Sequence, residues 1–404
     1  MNNELLTVRQ TDHLLTVAEE QLKEMRTAIR ERLEKTNKGG IANSIANCQL
    51  ILRYDPVFKG KICRNELTGC TDIVGTMPWR REGTLLSDKD IPHILLYLER
   101  HYGITSEKKA LHALEVIANE NHFHPIRDYL NSLTWDGVPR VREALHHFLG
   151  ADISDFNEQC LCVFMLGAIN RVFHPGCKFE LMLVLVGGQG AGKTTFVRFL
   201  AVKEDWFTDD IRKLDDENIY RHIMSHWIVE MSEMVATANA KSIEEIKSFL
   251  SRSKDTYKEP YDRFPADRPR QCVFAGTTNR MDFLPMDRTG NRRFLPVQVH
   301  PEQADIHILS DEAASRAYFD QLWQRSWCST APAISARISA RKWSSSLCRS
   351  RRFFSRRTRW LGRSSASWRT IRAISSAPSR FIAKHWSIPM TSPRHGKRGK
   401  SVKS

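Results

Sequence analysis

No two cysteines stand in the C-x-x-C spacing, although the chain has nine of them. Structural zinc sites and redox-active dithiols rely on that spacing, so neither is expected. Cys63 with Cys70 and Cys160 with Cys162 are close pairs, and buried reduced thiols are the plainer reading of both. Nor is there a stretch of 18 apolar residues, which argues against a membrane-spanning helix. Met1 to Leu5 lack the basic and apolar blocks of a secretory leader, so a cytoplasmic protein is expected. The most uneven absence is of acid: between Gln324 and Ser404 there are 20 Lys and Arg residues and not one Asp or Glu. The formal charge of +15 is therefore a property of the tail, because residues 1–323 hold 41 basic and 46 acidic residues. Overall basicity says nothing about whether the body binds nucleic acid.

A hydrophobic content of 41% is ample for packed cores and excludes wholesale disorder. In residues 1–40, Leu15, Ala18, Leu22, Met25, Ile29 and Leu33 recur at helical steps. That stripe fits docking on the body, with a short coiled coil as the alternative. Residues 41–106 mix short apolar runs with turn signals and suggest a small α+β or mostly helical module. Residues 107–180 read as helical, broken at His124-Pro125, at Trp135 to Pro139 and at His174 to Gly176. His122, His124 and His174 beside these breaks are read as structural rather than as metal ligands.

At residue 181 the character changes. Leu181 to Val186 is a continuous apolar run, as expected of a strand buried on both faces of a parallel sheet. Similar runs occur at 227–229, 272–275 and 294–297, separated by helical patterns. Residues 181–299 therefore predict an α/β domain with a mostly parallel sheet. That unit is expected to be complete at Val299, with 300–323 a helical remnant and 324–404 a disordered basic tail.

The first strand runs into Gly187, Gly188, Gln189, Gly190, Ala191, Gly192, Lys193, Thr194 and Thr195, which fits G-x-x-x-x-G-K-[ST] at every fixed position. Glycines let backbone N–H groups close round phosphate oxygens, and the following helix adds its positive end. Lys193 would reach the β- and γ-phosphates of ATP, and the Thr194 hydroxyl would bind Mg²⁺. Glu230, just past the second apolar run, is the candidate Mg²⁺ carboxylate. Glu233 is the candidate for polarising the attacking water. Two solvated carboxylates at a helix start are the alternative for both. Asn279, after the third run, is placed to position that water or to serve only its own turn. Arg292 and Arg293 precede the last strand. One of them delivered from a neighbouring subunit would stabilise charge on the γ-phosphate, and a surface pair with Asp287 is the alternative.

With these elements in order, the chain resembles the virulence-associated protein E family, phage and pathogenicity-island ATPases related to superfamily-three helicases and AAA+ proteins. The resemblance runs from about residue 45 to 323. It is carried by the loop and by His124 to Leu130, Trp135 to Arg140, Pro175 to Lys178, Trp227 to Glu230 with Glu233, Gly276 to Asn279 and Thr289 to Phe294. It implies a P-loop fold of AAA+ or superfamily-three character, dependence on ATP and Mg²⁺, and a ring of identical subunits acting on DNA. It also implies that Lys193, Thr194, Glu230, Asn279 and Arg292 or Arg293 carry the chemistry. No primase acid cluster is evident before the loop.

Ser242 to Glu245 fit a capping box that opens a helix through Leu250. The segment 251–263 then corresponds to the pore hairpin of superfamily-three helicases. Lys254, Lys258 and Arg263 would supply charge to single-stranded DNA, and Tyr257 and Tyr261 could stack on bases. Asp255, Glu259 and Asp262 dilute that charge, so a solvated hairpin remains the alternative.

The tail departs from all this. About eight or nine acids would be expected in its 81 residues, and 19 serines stand among its arginines instead. Out-of-frame translation beginning near codon 324 accounts for this composition, and an evolved nucleic-acid-binding arm is the rival. The reading as a whole is a replication ATPase of the helicase kind. A nucleotide-dependent switch that recruits replication factors and an inactive truncated product are the alternatives.

Overall fold

The computed structural model describes residues 8–211, 219–231, 240–258, 265–280 and 291–330. Glu233, Tyr261 and Arg263 lie outside them, as does the tail from 331 onward. Two regions with separate cores are visible.

The N-terminal region opens with α1 (Val8–Arg32) and α2 (Ile45–Tyr54), followed by β1 (Ile62–Asn65) and β2 (Thr71–Ile73). Next come α3 (Asp90–Tyr102), α4 (Glu107–Glu120) and β3 (His122–Phe123). β1 pairs antiparallel with β2 and parallel with β3. Ser44 caps α2, its hydroxyl accepting from Asn47 N, which satisfies one of the donors a helix start leaves open. Ile29 of α1 and Leu33 just past its end are buried in this core with Ile51, Phe58, Ile62, Ile94, Leu98 and Leu114. Docking of α1 is thus seen directly, while Met25 stays half exposed. α4, assigned by sequence to the following helical region, packs its Ala110, Ala113, Leu114 and Ile117 face into this core instead.

α5 (Pro125–Ser132), α6 (Ala144–Leu149) and α7 (Asp155–Phe173) lead to the sheet. His124 caps α5, its Nδ1 accepting from Arg127 N at 3.3 Å, and its Nε2 lies 2.7 Å from Gln271 Oε1. It serves packing, as expected. The sheet then forms from β4 (Met182–Val186), α8 (Lys193–Leu200), β5 (Phe207–Thr208), α9 (Ile219–Met224), β6 (Ile228–Glu230) and α10 (Ala240–Leu250). It continues through the hairpin β7 (Lys254–Tyr257) and β8 (Ala266–Pro269), then β9 (Val273–Thr278), β10 (Phe294–Gln298) and α11 (Glu312–Thr330).

The five strands stand in the order β10-β4-β9-β6-β5, and every pair is parallel. Alternation along β4 shows why the run is apolar throughout. Leu183 and Leu185 face a core shared with α7, α8 and α11, while Met182, Val184 and Val186 face one shared with α9 and α10. Helices cover both faces, which is the usual condition for a parallel sheet.

Two expectations need correction. α10 begins at Ala240, so Ser242 is inside the helix rather than at its cap. The core is also not complete at Val299. Phe319, Leu322 and Trp323 of α11 are at most 1% exposed. Phe319 lies against Phe148, Phe196 and Phe199. The Trp323 ring tilts over Trp227 at 4.3 Å and its indole N–H donates to Leu200 O. The segment read as a remnant is a wall of the sheet's helical layer.

Candidate functional site

Parallel register brings the carboxyl ends of the strands to one edge. Val186 stands beside Thr278, and Glu230 beside Ala275. The glycine loop, Glu230 and Asn279 therefore meet there, the edge at which open α/β sheets take ligands. A Cβ on Gly187 would lie 2.5 Å from Val299 Cγ2 and 2.8 Å from Val299 O, so the loop's first residue can only be glycine. Gly192 has φ of 71°, a left-handed turn directly before α8.

Lys193 is 8% exposed. Its Nζ donates to Gly187 O at 2.9 Å, Gly188 O at 2.6 Å and Asn279 Oδ1 at 3.0 Å, so all three ammonium protons are held within the site. Burial pushes its pKa down, and Glu230 nearby pulls it back up. Thr194 Oγ1 donates to Glu230 Oε1 at 2.9 Å, and Thr277 Oγ1 donates to the same oxygen at 2.5 Å. Glu230 is fully buried, and its Oε2 has no hydrogen-bond partner. Burial pushes the Glu230 carboxyl above its ordinary range. The two hydroxyls oppose the rise, Asp209 adds to it and Arg198 relieves it.

That orphaned oxygen tests whether a cation fits. A buried carboxylate oxygen without a donor, on a group that also holds a threonine hydroxyl, suits a hard divalent ion such as Mg²⁺. An apolar or anionic ligand would not satisfy it. Thr194 and Glu230 are the residues that would hold the ion. Among the described residues no cluster of three or more His, Cys, Asp or Glu offers a second kind of metal site, and Cys48, Cys63, Cys70, Cys160, Cys162, Cys177 and Cys272 form no disulfide.

Asn279 is exposed and reaches the cluster through Lys193. Thr195, Gln189, Gly190 and Ala191 complete the loop and the first turn of α8. The arginines sit elsewhere. Phe294 pairs with Met182 at the start of β4, so Arg292 and Arg293 lie about 15 Å from the loop along the strand direction. Arg293 Nε donates to Glu180 Oε2 at 3.2 Å and to Ser251 Oγ at 3.1 Å. Arg292 is exposed, with no ion pair or hydrogen bond among the described residues. The structure thus gathers Gly187 to Thr195, Glu230 and Asn279, and leaves both arginines outside that site.

Thr277 was not anticipated. Its Thr-Thr context is readable, but only the strand register shows which threonine faces Glu230. The hairpin is present as β7 and β8, paired antiparallel. Near its root Lys254 pairs with Asp267, and at the far end of β7 Tyr257 stacks on Tyr220 at 6.1 Å with Arg268 over its ring. Lys258, nearer the tip, is exposed.

These features define a three-layer parallel α/β domain with a glycine loop at the carboxyl edge of its sheet. Residues 130–328 match the model of the virulence-associated protein E-like domain. The match runs from within α5 to within α11. No curated protein matches the chain. Among solved structures it is similar to the apo C-terminal region of NrS-1 (305–718), at 12% identity and TM-score 0.40, covering 70% of this chain and 67% of that one. An A-form apo structure of that region gives 10% identity and TM-score 0.42, covering 66% of this chain and 65% of that one. Another gives 12% and 0.38, covering 66% and 64%. No helix among the described residues is long and apolar enough to cross a membrane.

Proposed function

We propose that this chain is a P-loop ATPase of the helicase kind, serving DNA replication in a phage or other mobile element. One observation carries the reading: the glycine loop, Lys193 and the Thr194–Glu230 pair converge at one sheet edge, and Glu230 Oε2 is buried there without a partner. ATP would enter along the loop's N–H groups and the start of α8. Lys193 would exchange the Gly187 and Gly188 carbonyls for phosphate oxygens. Mg²⁺, when bound, neutralises charge on the phosphates. Asn279, released from Lys193, is free to orient water, and Glu233 remains a candidate for polarising it. The exposed Arg292 is too far from its own loop, which suits service to a neighbouring subunit in a ring. Arg293 is engaged within the chain and suits bracing. The hairpin, with Lys258 towards its tip, is the part that would meet single-stranded DNA in the pore.

ATP hydrolysis is measured on the full chain with and without single-stranded DNA, alongside Lys193→Ala. Turnover that rises with DNA and falls by about 10²–10³-fold in the variant is expected. Nucleotide binding without DNA-dependent turnover would replace the helicase with a binding switch. The tail is read as out-of-frame translation, in keeping with a family match that ends at residue 328. Resequencing the gene tests this: no single-base change that restores an acidic, helical continuation would refute it.

A further inference from the structure

Glu230 has no acidic neighbour in sequence. Met231 follows it and is fully buried, and Glu233 lies outside the described residues, so a second carboxylate among the described residues comes from elsewhere in the fold. The sheet supplies one. β5 and β6 pair with Phe207 beside Ile228 and Thr208 beside Val229. One step further in the same register stand Asp209 and Glu230, on adjacent parallel strands about 5 Å apart.

α8 repeats the pairing from above. Thr194 and Arg198 are four residues apart and share a helix face. Thr194 holds Glu230 at 2.9 Å, and Arg198 Nη2 reaches Asp209 Oδ2 at 3.5 Å. The two side chains of one helix thus grip the two acids of neighbouring strands. Asp209 is 48% exposed, open to the edge where a ligand arrives, while Glu230 is sealed beneath it. Two like charges at adjacent register positions repel, and the Asp209 charge is felt by Glu230, whose pKa it raises. One arginine relieves that repulsion only in part, since Arg198 also lies 3.6 Å from Glu204.

We infer that Asp209 is the second carboxylate of the cation site, acting with Glu230 and Thr194 on the divalent ion that accompanies ATP. The assignment rests on the phosphate-loop reading above. Asp209 acts directly or through an ion-bound water, and Arg198 aims it. The competing role is a surface ion pair with Arg198, which would be worth about 0–1 kcal/mol and would not touch the ion.

The test is equilibrium binding of a fluorescent ATP analogue, first in EDTA and then across a Mg²⁺ titration. Asp209→Asn keeps the shape and removes the charge. It should still bind the analogue in EDTA, yet need about 10-fold more Mg²⁺ than the wild type to reach half of its own Mg²⁺-dependent tightening. Asp209→Glu, which restores the charge, should recover most of that shift. Arg198→Ala should leave the Mg²⁺ requirement closer to the wild type than Asp209→Asn does. An Asp209→Asn titration superimposed on the wild type overturns the assignment while leaving the loop reading intact. If Lys193→Ala binds the analogue as tightly as the wild type in both conditions, the loop reading fails and takes the assignment with it.

Discussion

Asp55 and Glu230 are equally inaccessible, yet their surroundings differ. Asp55, in the N-terminal core, accepts from Tyr97 and Tyr102 hydroxyls and from Val57 N, with Arg26 3.9 Å away. Asp90 nearby accepts from Trp79, Arg81 and Ser87. Asp255, beside the hairpin, accepts two bonds from the buried Arg270 guanidinium. Each of these carboxylates has donors on both oxygens. Glu230 has two donors on one oxygen and none on the other. Burying an unsatisfied charge costs several kcal/mol, and a ligand that completes the Glu230 shell would relieve that cost. The satisfied acids hold the fold together, and the unsatisfied one is where the proposed cation would bind.

Substitutions should separate the two kinds, and the largest effect should come from Asp255. Asp255→Ala strands a buried guanidinium and should lower stability by about 3–5 kcal/mol in urea denaturation. Asp90→Asn loses charge-assisted bonds from Arg81 and should cost about 1.5–3 kcal/mol by the same measurement. Glu230→Gln should go the other way. It removes a desolvated charge, so the ligand-free protein should be unchanged or up to about 1 kcal/mol more stable. The same variant should lose the rise in melting temperature expected of the wild type with Mg²⁺ and ATP. A clear destabilisation by Glu230→Gln would erase the distinction between the two kinds of site.

Smaller but signed effects are expected with pH. Burial alone would raise the Asp90 carboxyl, but the bonds from Arg81, Trp79 and Ser87 prevail and hold it well below its ordinary 3.8. Its contribution is therefore present above pH 3.8 and lost as pH falls towards the native value. The Glu230 carboxyl is raised above 4.5, so its contribution is present below 4.5 and lost as pH rises through its native value. Melting curves from pH 1.5 to 8 should show Asp90→Asn flattening the acid limb below pH 3.8 and Glu230→Gln flattening the opposite one.

Much of the site was legible before the fold. Leu181 to Val186 and the other apolar runs had to be strands covered on both faces, and the glycine loop had to follow one of them. Glu230 and Asn279 were found because each ends such a run. What escaped needed three dimensions or a longer pattern. β5 is two residues long and leaves no periodicity to read. Asp209 and Thr277 are ordinary polar residues until the register places them beside Glu230. The engagement of Arg293 by Glu180 and Ser251 joins residues 113 and 42 positions apart. The membership of α11 was readable, since Tyr318, Phe319, Leu322 and Trp323 follow helical spacing. The basic tail beginning just beyond them drew that stretch into the wrong unit.

The placement of β4 in the sheet also sets an order of events during synthesis. The N-terminal core draws on residues 29–118, which emerge from the ribosome as one contiguous stretch. Met182 instead pairs with Phe274 and Phe294, partners made about 90 and about 110 residues later. The strand that carries the glycine loop is therefore among the first parts of its sheet to be translated and the last to gain both neighbours. In pulsed hydrogen exchange during refolding, the amides of Ile51 and Leu114 should gain protection before those of Leu183 and Leu185. Until then the chain carries a finished N-terminal core and a nucleotide loop without a floor, and the open edges of β4 are the surface a chaperone would find.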